Sequence, residues 1–240
     1  MTPTLPEHDP PAAFWSYKDV AMLILGLAPP SLLLAIFLGQ GVRLLARGAG
    51  GLALPALITQ FALYGFLFLA MYGIFRFKYD RPLWSSLGFT RNPGGYLRPL
   101  LLGPVVAIGV VLGSVALRMP EIHTPLEDLL KDPLSIALIC LFAITLGPLC
   151  EEAIFRGFLQ PLFQRSLGPL PAIALACLPF ALLHGPEYAW SWRHVVLLFF
   201  ASGVFGWFRY RTGSTTPPTL MHASYNLVFV IAYLIRGKEL

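Results

Sequence analysis

The feature that most constrains this chain is its repetition of long, nearly uncharged apolar runs. A helix that crosses a bilayer needs ~20 mostly apolar residues. Such runs recur at about 20–45, 54–75, 97–117, 134–163, 171–184, 194–210 and 218–235. Only 12% of the 240 residues are charged while 56% are hydrophobic, against about a quarter charged in an ordinary soluble domain. The expected fold is therefore all-α: a polytopic transmembrane helix bundle of about seven spans with a polar intramembrane cavity. Its expected organisation is a flexible, Pro-rich tail over 1–19 and one membrane-embedded domain over 20–236.

Punctuation within the runs adds detail. Pro29-Pro30 is expected to kink the first span. That span lacks a basic leading region and a small-residue cleavage site, so it reads as a retained helix. Gly103, Gly109 and Gly113 allow close helix contact in the third span. Gly185-Pro186 stops the fifth, and Pro218 suits the first turn of the seventh. RFKYDRPLWSSLGFTRNPGGYLR, basic and carrying Trp84, Phe89 and Tyr96, suits a segment lying in the membrane interface.

The net charge of +5 belongs to loops beside lipid headgroups rather than to a nucleic-acid surface, since no basic cluster with interleaved aromatics occurs. Nine Lys and Arg fall on the side of the amino terminus and seven on the other, a lean toward a cytoplasmic amino terminus. Cys140, Cys150 and Cys177 are odd in number, lie in apolar segments and have no CxxC spacing, so they read as small buried hydrophobes.

Ionisable groups inside membrane spans are costly and usually face the bundle interior or a water-filled cavity. Here they cluster. Glu151, Glu152 and Arg156 share the fourth run, in CEEAIFRGF; His184 ends FALLH in the fifth; His222 and Asn226 lie in HASYN in the seventh. Glu152 and Arg156, four apart, occupy one helix face and can pair. Glu151 points about 100° away by the 3.6-residue period and has no local partner, as suits a general base. With His184 it could activate a water, while His222 and Asn226 donate hydrogen bonds to an oxyanion. A second assembly takes Glu151, His184 and His222 as zinc ligands with a position open to water.

Each residue also has a plainer role available. Glu152 with Arg156 can simply pin helices, His184 can cap a helix end, His222 can be a satisfied interfacial histidine and Asn226 can bridge helices. Tyr225 and Ser224 flank the group and suit packing. His8, His123 and His194 are assigned no role.

EEAIFR fits EExxxR, FALLH fits FxxxH and HASYN fits HxxxN. Three such motifs in this order, on separate hydrophobic runs between about 134 and 235, resemble the CPBP family. These intramembrane proteases are related to the CaaX prenyl endopeptidase and to bacteriocin-processing and immunity (Abi-like) proteins. RTGSTTPPTLMHASYN also resembles that family's passage into its last motif. The resemblance implies a glutamate-dependent endopeptidase with Glu151 and His184 on the water, His222 and Asn226 on the oxyanion, and Glu152 and Arg156 in support. It implies no cofactor, with zinc as the minority option; HExxH is absent. The implied partners are a membrane-anchored or membrane-associated protein or peptide substrate and the lipid bilayer, in the plasma membrane of a prokaryote. The competing readings are a zinc-dependent membrane protease and a non-enzymatic immunity or scaffold protein. A proton-relaying transporter is disfavoured because no inverted repeat links the halves.

Simple counting raises one conflict. His184 falls at the far end of the fifth run, and His222 about a turn inside the opposite end of the seventh. For the imidazoles to meet, one helix must start or stop deep in the membrane, or RTGSTTPP must dip into a cavity.

Overall fold

The computed structural model describes residues 13–45, 53–91, 94–120 and 122–236. Tail residues 1–12 with His8, the RGAGG loop with Arg47, and Lys238 lie outside them. Lipid offers no hydrogen-bond partners, so an apolar run satisfies its backbone internally by becoming helical. Among the described residues the structure is helical and holds no strand.

Helices α1 (Tyr17–Leu45), α2 (Ala53–Lys78), α4 (Leu97–Ala116), α6 (Pro133–Leu167) and α9 (Thr216–Arg236) coincide with runs long and apolar enough to cross a membrane. Two shorter helices, α3 (Leu83–Ser86) and α5 (Pro125–Leu129), sit in the connections. Helix α7 (Pro169–Leu183) has only 15 residues and leads into a 3₁₀ turn, Gly185–Tyr188. Helix α8 (Trp192–Thr212) is long, yet it is not among the five spans defined by length and apolarity. All seven expected segments are thus helices, and five have the length and apolarity of a span.

Prolines set the irregularities. A proline has no N–H for the carbonyl four residues earlier and clashes with it. Pro29 and Pro30 therefore deprive Leu25 and Gly26, and α1 widens into π-helix over Met22–Leu27 just before them. Pro148 deprives Ile144, and α6 breaks at Thr145, with φ −128° and ψ −86°. Pro161 deprives Gly157, and α6 widens again over Ala153–Leu159. The expected proline kink in α1 thus takes the form of a wide turn, a device that recurs at functional sites.

Helix α4 packs on α9 and α8, α1 on α2, and α7 on α8. The first contact explains two of the three glycines. A Cβ on Gly103 would lie 2.3 Å from the Met221 carbonyl of α9, and one on Gly113 would lie 2.9 Å from Leu197 of α8. Gly109 faces open space.

The packed chain begins before residue 20. Trp15 is 2% exposed, stacks on Phe158 with ring centroids 5.5 Å apart, and donates Nε1–H to the Phe158 carbonyl at 3.1 Å. Asp19 accepts from Tyr79 at 2.6 Å and pairs with Lys78 at 2.5 Å. The end of the tail is therefore a strap across the wide turn of α6. The segment between α2 and α4 is likewise held against protein. Leu87 is buried, and the carbonyls of Leu87, Gly88 and Thr90 accept from Thr215, Ser214 and Thr216. The RTGSTTPP passage is thus buried at Ser214 and Thr215 and anchored to the turn around Gly88.

Candidate active site

The broken fourth run positions the acids. Beyond Thr145, helix α6 restarts and presents Glu151 and Glu152 on successive sides. Glu152 and Arg156 are both 0% exposed and pair at 3.1 Å. The guanidinium also reaches the Ser202 carbonyl on α8 at 2.8 Å and its hydroxyl, and lies 4.9 Å from the centre of the Phe180 ring. A buried charge needs a partner and further hydrogen bonds; here α6, α7 and α8 supply them together. The π-turn exposes a further acceptor: the Arg156 carbonyl takes the Nε–H of buried Arg209 at 3.1 Å.

Glu152 has a second ligand. His222 of α9 donates Nδ1–H to Glu152 Oε1 at 2.9 Å. That bond turns the opposite ring nitrogen, Nε2, toward Glu151 Oε2, 3.8 Å away. His222 is buried and stacks on Phe205, with centroids 5.2 Å apart. Glu152 is therefore the hinge between the guanidinium and the imidazole, a role that helical spacing alone does not reveal.

Glu151 is partly exposed, its side chain at 19%. The Tyr64 hydroxyl of α2 donates to its Oε1 at 3.3 Å. Glu151 looks partnerless from local spacing, but a residue 87 positions earlier completes it. No sequence motif marks Tyr64, which is one aromatic among many in an apolar run.

His184 ends α7. Its Nδ1–H donates to the Phe180 carbonyl at 2.8 Å, so Nε2 carries the lone pair. The Phe180 ring adjoins both imidazoles, with centroids 4.6 Å from His184 and 5.9 Å from His222. The conflict raised by counting is thus resolved. At ~1.5 Å per residue, the 15 residues of α7 rise about 22 Å, less than the ~30 Å hydrocarbon core. The helix is thus shorter than a full span, and its end places His184 against the same Phe180 ring that adjoins His222.

Asn226, one turn beyond His222, donates Nδ2–H to the Ala143 carbonyl at 2.7 Å. That carbonyl lies at the break in α6, where helical partners are lost. One amide proton of Asn226 thus closes the broken helix end; the other, and Oδ1, remain for further bonds.

Glu151, His184, His222 and Asn226 all line one cavity of about 580 Å³. Glu152 and Arg156 lie behind its wall. The lining extends to Met119 and Pro125 in the connection between α4 and α6, on the face opposite the amino terminus. Among the described residues, no three His, Cys, Asp or Glu side chains converge to hold a metal ion.

A helix bundle with five helices long and apolar enough to cross a membrane, enclosing a cavity whose lining includes an acid and imidazoles, defines the class: an integral membrane protein. Residues 133–228, which carry all three motifs, match the family model described as Type II CAAX prenyl endopeptidase Rce1-like. Over those residues the chain is similar to CAAX-type prenyl endopeptidases, in line with the resemblance that its three motifs carry. No curated protein and no solved structure matches it.

Proposed function

We propose that this protein is a glutamate-dependent endopeptidase that cleaves a membrane-associated substrate within the cavity. The observation that carries the reading is the gathering of Glu151, His184, His222 and Asn226, from three separate helices, around one cavity. Buried ionisable groups are expensive, and one shared function accounts for all of them.

The proposed reaction runs as follows. A water in the cavity lies between the Glu151 carboxylate and the lone pair on His184 Nε2. Glu151 takes a proton from it as its oxygen bonds to the scissile carbonyl carbon. Tyr64 holds one carboxylate oxygen, so the other faces the reaction. The oxyanion accepts from Asn226 through its unspent amide proton and from His222 Nε2–H. For that donation the His222 ring carries a proton on both nitrogens, Nδ1–H being held on Glu152. The proton on Glu151 then passes to the amide nitrogen, the C–N bond breaks, and carboxylate and amine products leave. Glu152 and Arg156 position His222 rather than touch substrate. Both oxyanion donors reside on α9, so the third motif forms the electrophilic side of the site and the first two motifs the basic side.

The substrate class is a peptide segment presented at the membrane, because the cavity is embedded among apolar helices and opens toward one face. A plasma-membrane location in a prokaryote fits this reading.

The test is cleavage of a membrane-anchored reporter peptide by purified protein in proteoliposomes. Glu151→Gln is expected to abolish turnover while the protein remains folded and inserted. Undiminished cleavage by that variant refutes the assignment. A chelator arm tests zinc in the same assay: activity retained after chelation, in protein without stoichiometric metal, rejects a metal mechanism.

A further inference from the structure

The cavity wall carries a carboxylate that the proposed mechanism does not use. Glu187 lies in the 3₁₀ turn, three residues beyond His184, and lines the same cavity as Glu151. Among the described residues its carboxylate has no hydrogen-bond or ion-pair partner, while its backbone N–H donates to the His184 carbonyl at 3.1 Å. Glu187 is exposed by area, yet enough protein surrounds its carboxyl for desolvation to raise its pKa. A protonated His184 would oppose that rise, and Glu151 adds to it. An acid at an ordinary surface turn would bear no such cost.

The rest of the lining sets the sign of the site. No Lys or Arg lines the cavity, and its permanent charges are the carboxylates of Glu151 and Glu187. Glu151 is engaged by the Tyr64 hydroxyl and faced by His222 Nε2. Within a turn of His184, the Glu187 carboxylate has no direct partner among the described residues. A cation brought by the substrate would pair with it in a wall otherwise built largely of apolar side chains, where charge pairing is stronger than in bulk water.

We propose that Glu187 forms a specificity subsite that receives a cationic side chain, lysine or arginine, of the substrate close to the scissile bond. This inference rests on the endopeptidase reading of the same cavity.

The experiment uses the full chain in nanodiscs and three fluorescent lipidated heptapeptides whose central residue is Lys, Leu or Glu. Binding is read by competition and cleavage in the same mixtures. Wild-type protein is expected to bind the Lys peptide at least tenfold more tightly than the Glu peptide. In Glu187→Gln that ratio falls to within about twofold while the Leu peptide binds as before. In Glu187→Lys the preference inverts. Thermal unfolding of each variant checks that it is folded. No measurable binding of the Lys peptide to wild type, equal binding of all three peptides, or an unchanged ratio in Glu187→Gln overturns the proposal. The two readings separate cleanly. Charge preference without cleavage supports the subsite and counts against the protease; cleavage without charge preference does the reverse.

Discussion

Tyr64 and Glu151, 87 positions apart in the chain, are joined by a hydrogen bond of 3.3 Å from the phenol to one carboxylate oxygen. It ties the amino-terminal helices, which lie outside the matched family segment, to the first acid of the motif. The half of the chain without recognisable motifs thus takes part in the site.

Tyr64→Phe removes that donor and little volume. A hydrogen bond to a charged group contributes ~1.5–3 kcal/mol, and ~1.4 kcal/mol is tenfold in rate. Cleavage should fall by about tenfold or more in kcat with KM unchanged. A change confined to KM, or none, would show that Glu151 is oriented without Tyr64.

The Glu152–Arg156 pair is wholly buried, so removing one partner strands a charge. Breaking such a pair costs ~3–5 kcal/mol, whereas replacing both members with apolar groups is often far milder. Arg156→Met alone should lower the thermal midpoint sharply or prevent accumulation. Adding Glu152→Met should recover much of the loss without restoring activity, because His222 then lacks its acceptor. Equal stability of the single and double variants would contradict the pairing.

Asn226 is given two duties, on the Ala143 carbonyl and on the oxyanion. Losing one oxyanion donor costs ~10²–10³ in kcat. Asn226→Ala should show that loss together with reduced thermal stability, since the broken end of α6 loses its donor. Loss of stability with kcat intact would reduce Asn226 to a helix bridge.

At Gly103 a Cβ would meet backbone of α9 at 2.3 Å, which no rotamer change relieves. Gly103→Val should therefore push α4 and α9 apart and destabilise by more than the ~1–3 kcal/mol of ordinary overpacking. Gly109→Val, over open space, is the matched control and should behave as wild type in thermal unfolding.

Much of this was legible in the residues. Uncharged runs announced helices because lipid leaves the backbone no alternative. The i, i+4 spacing of Glu152 and Arg156 announced their pairing because it depends only on local geometry. What stayed hidden was long-range. Tyr64 carries no signal among the aromatics of its run, and nothing local shows that Glu152 rather than Glu151 holds His222. The wide turns were half-visible, since each sits beside prolines whose missing N–H leaves a carbonyl unmatched. Trp15 lay in a composition that reads as flexible, and its packing depends on Phe158, 143 positions away.

The short seventh helix has a consequence for the surrounding lipid. A helix of about 22 Å is shorter than acyl chains of full thickness require. The leaflet beside it must dip, or polar headgroups and water must descend to the 3₁₀ turn. A peptide bond normally shielded at the margin of a substrate's anchor would there lie at solvent depth, and the deformed bilayer would share in presenting it.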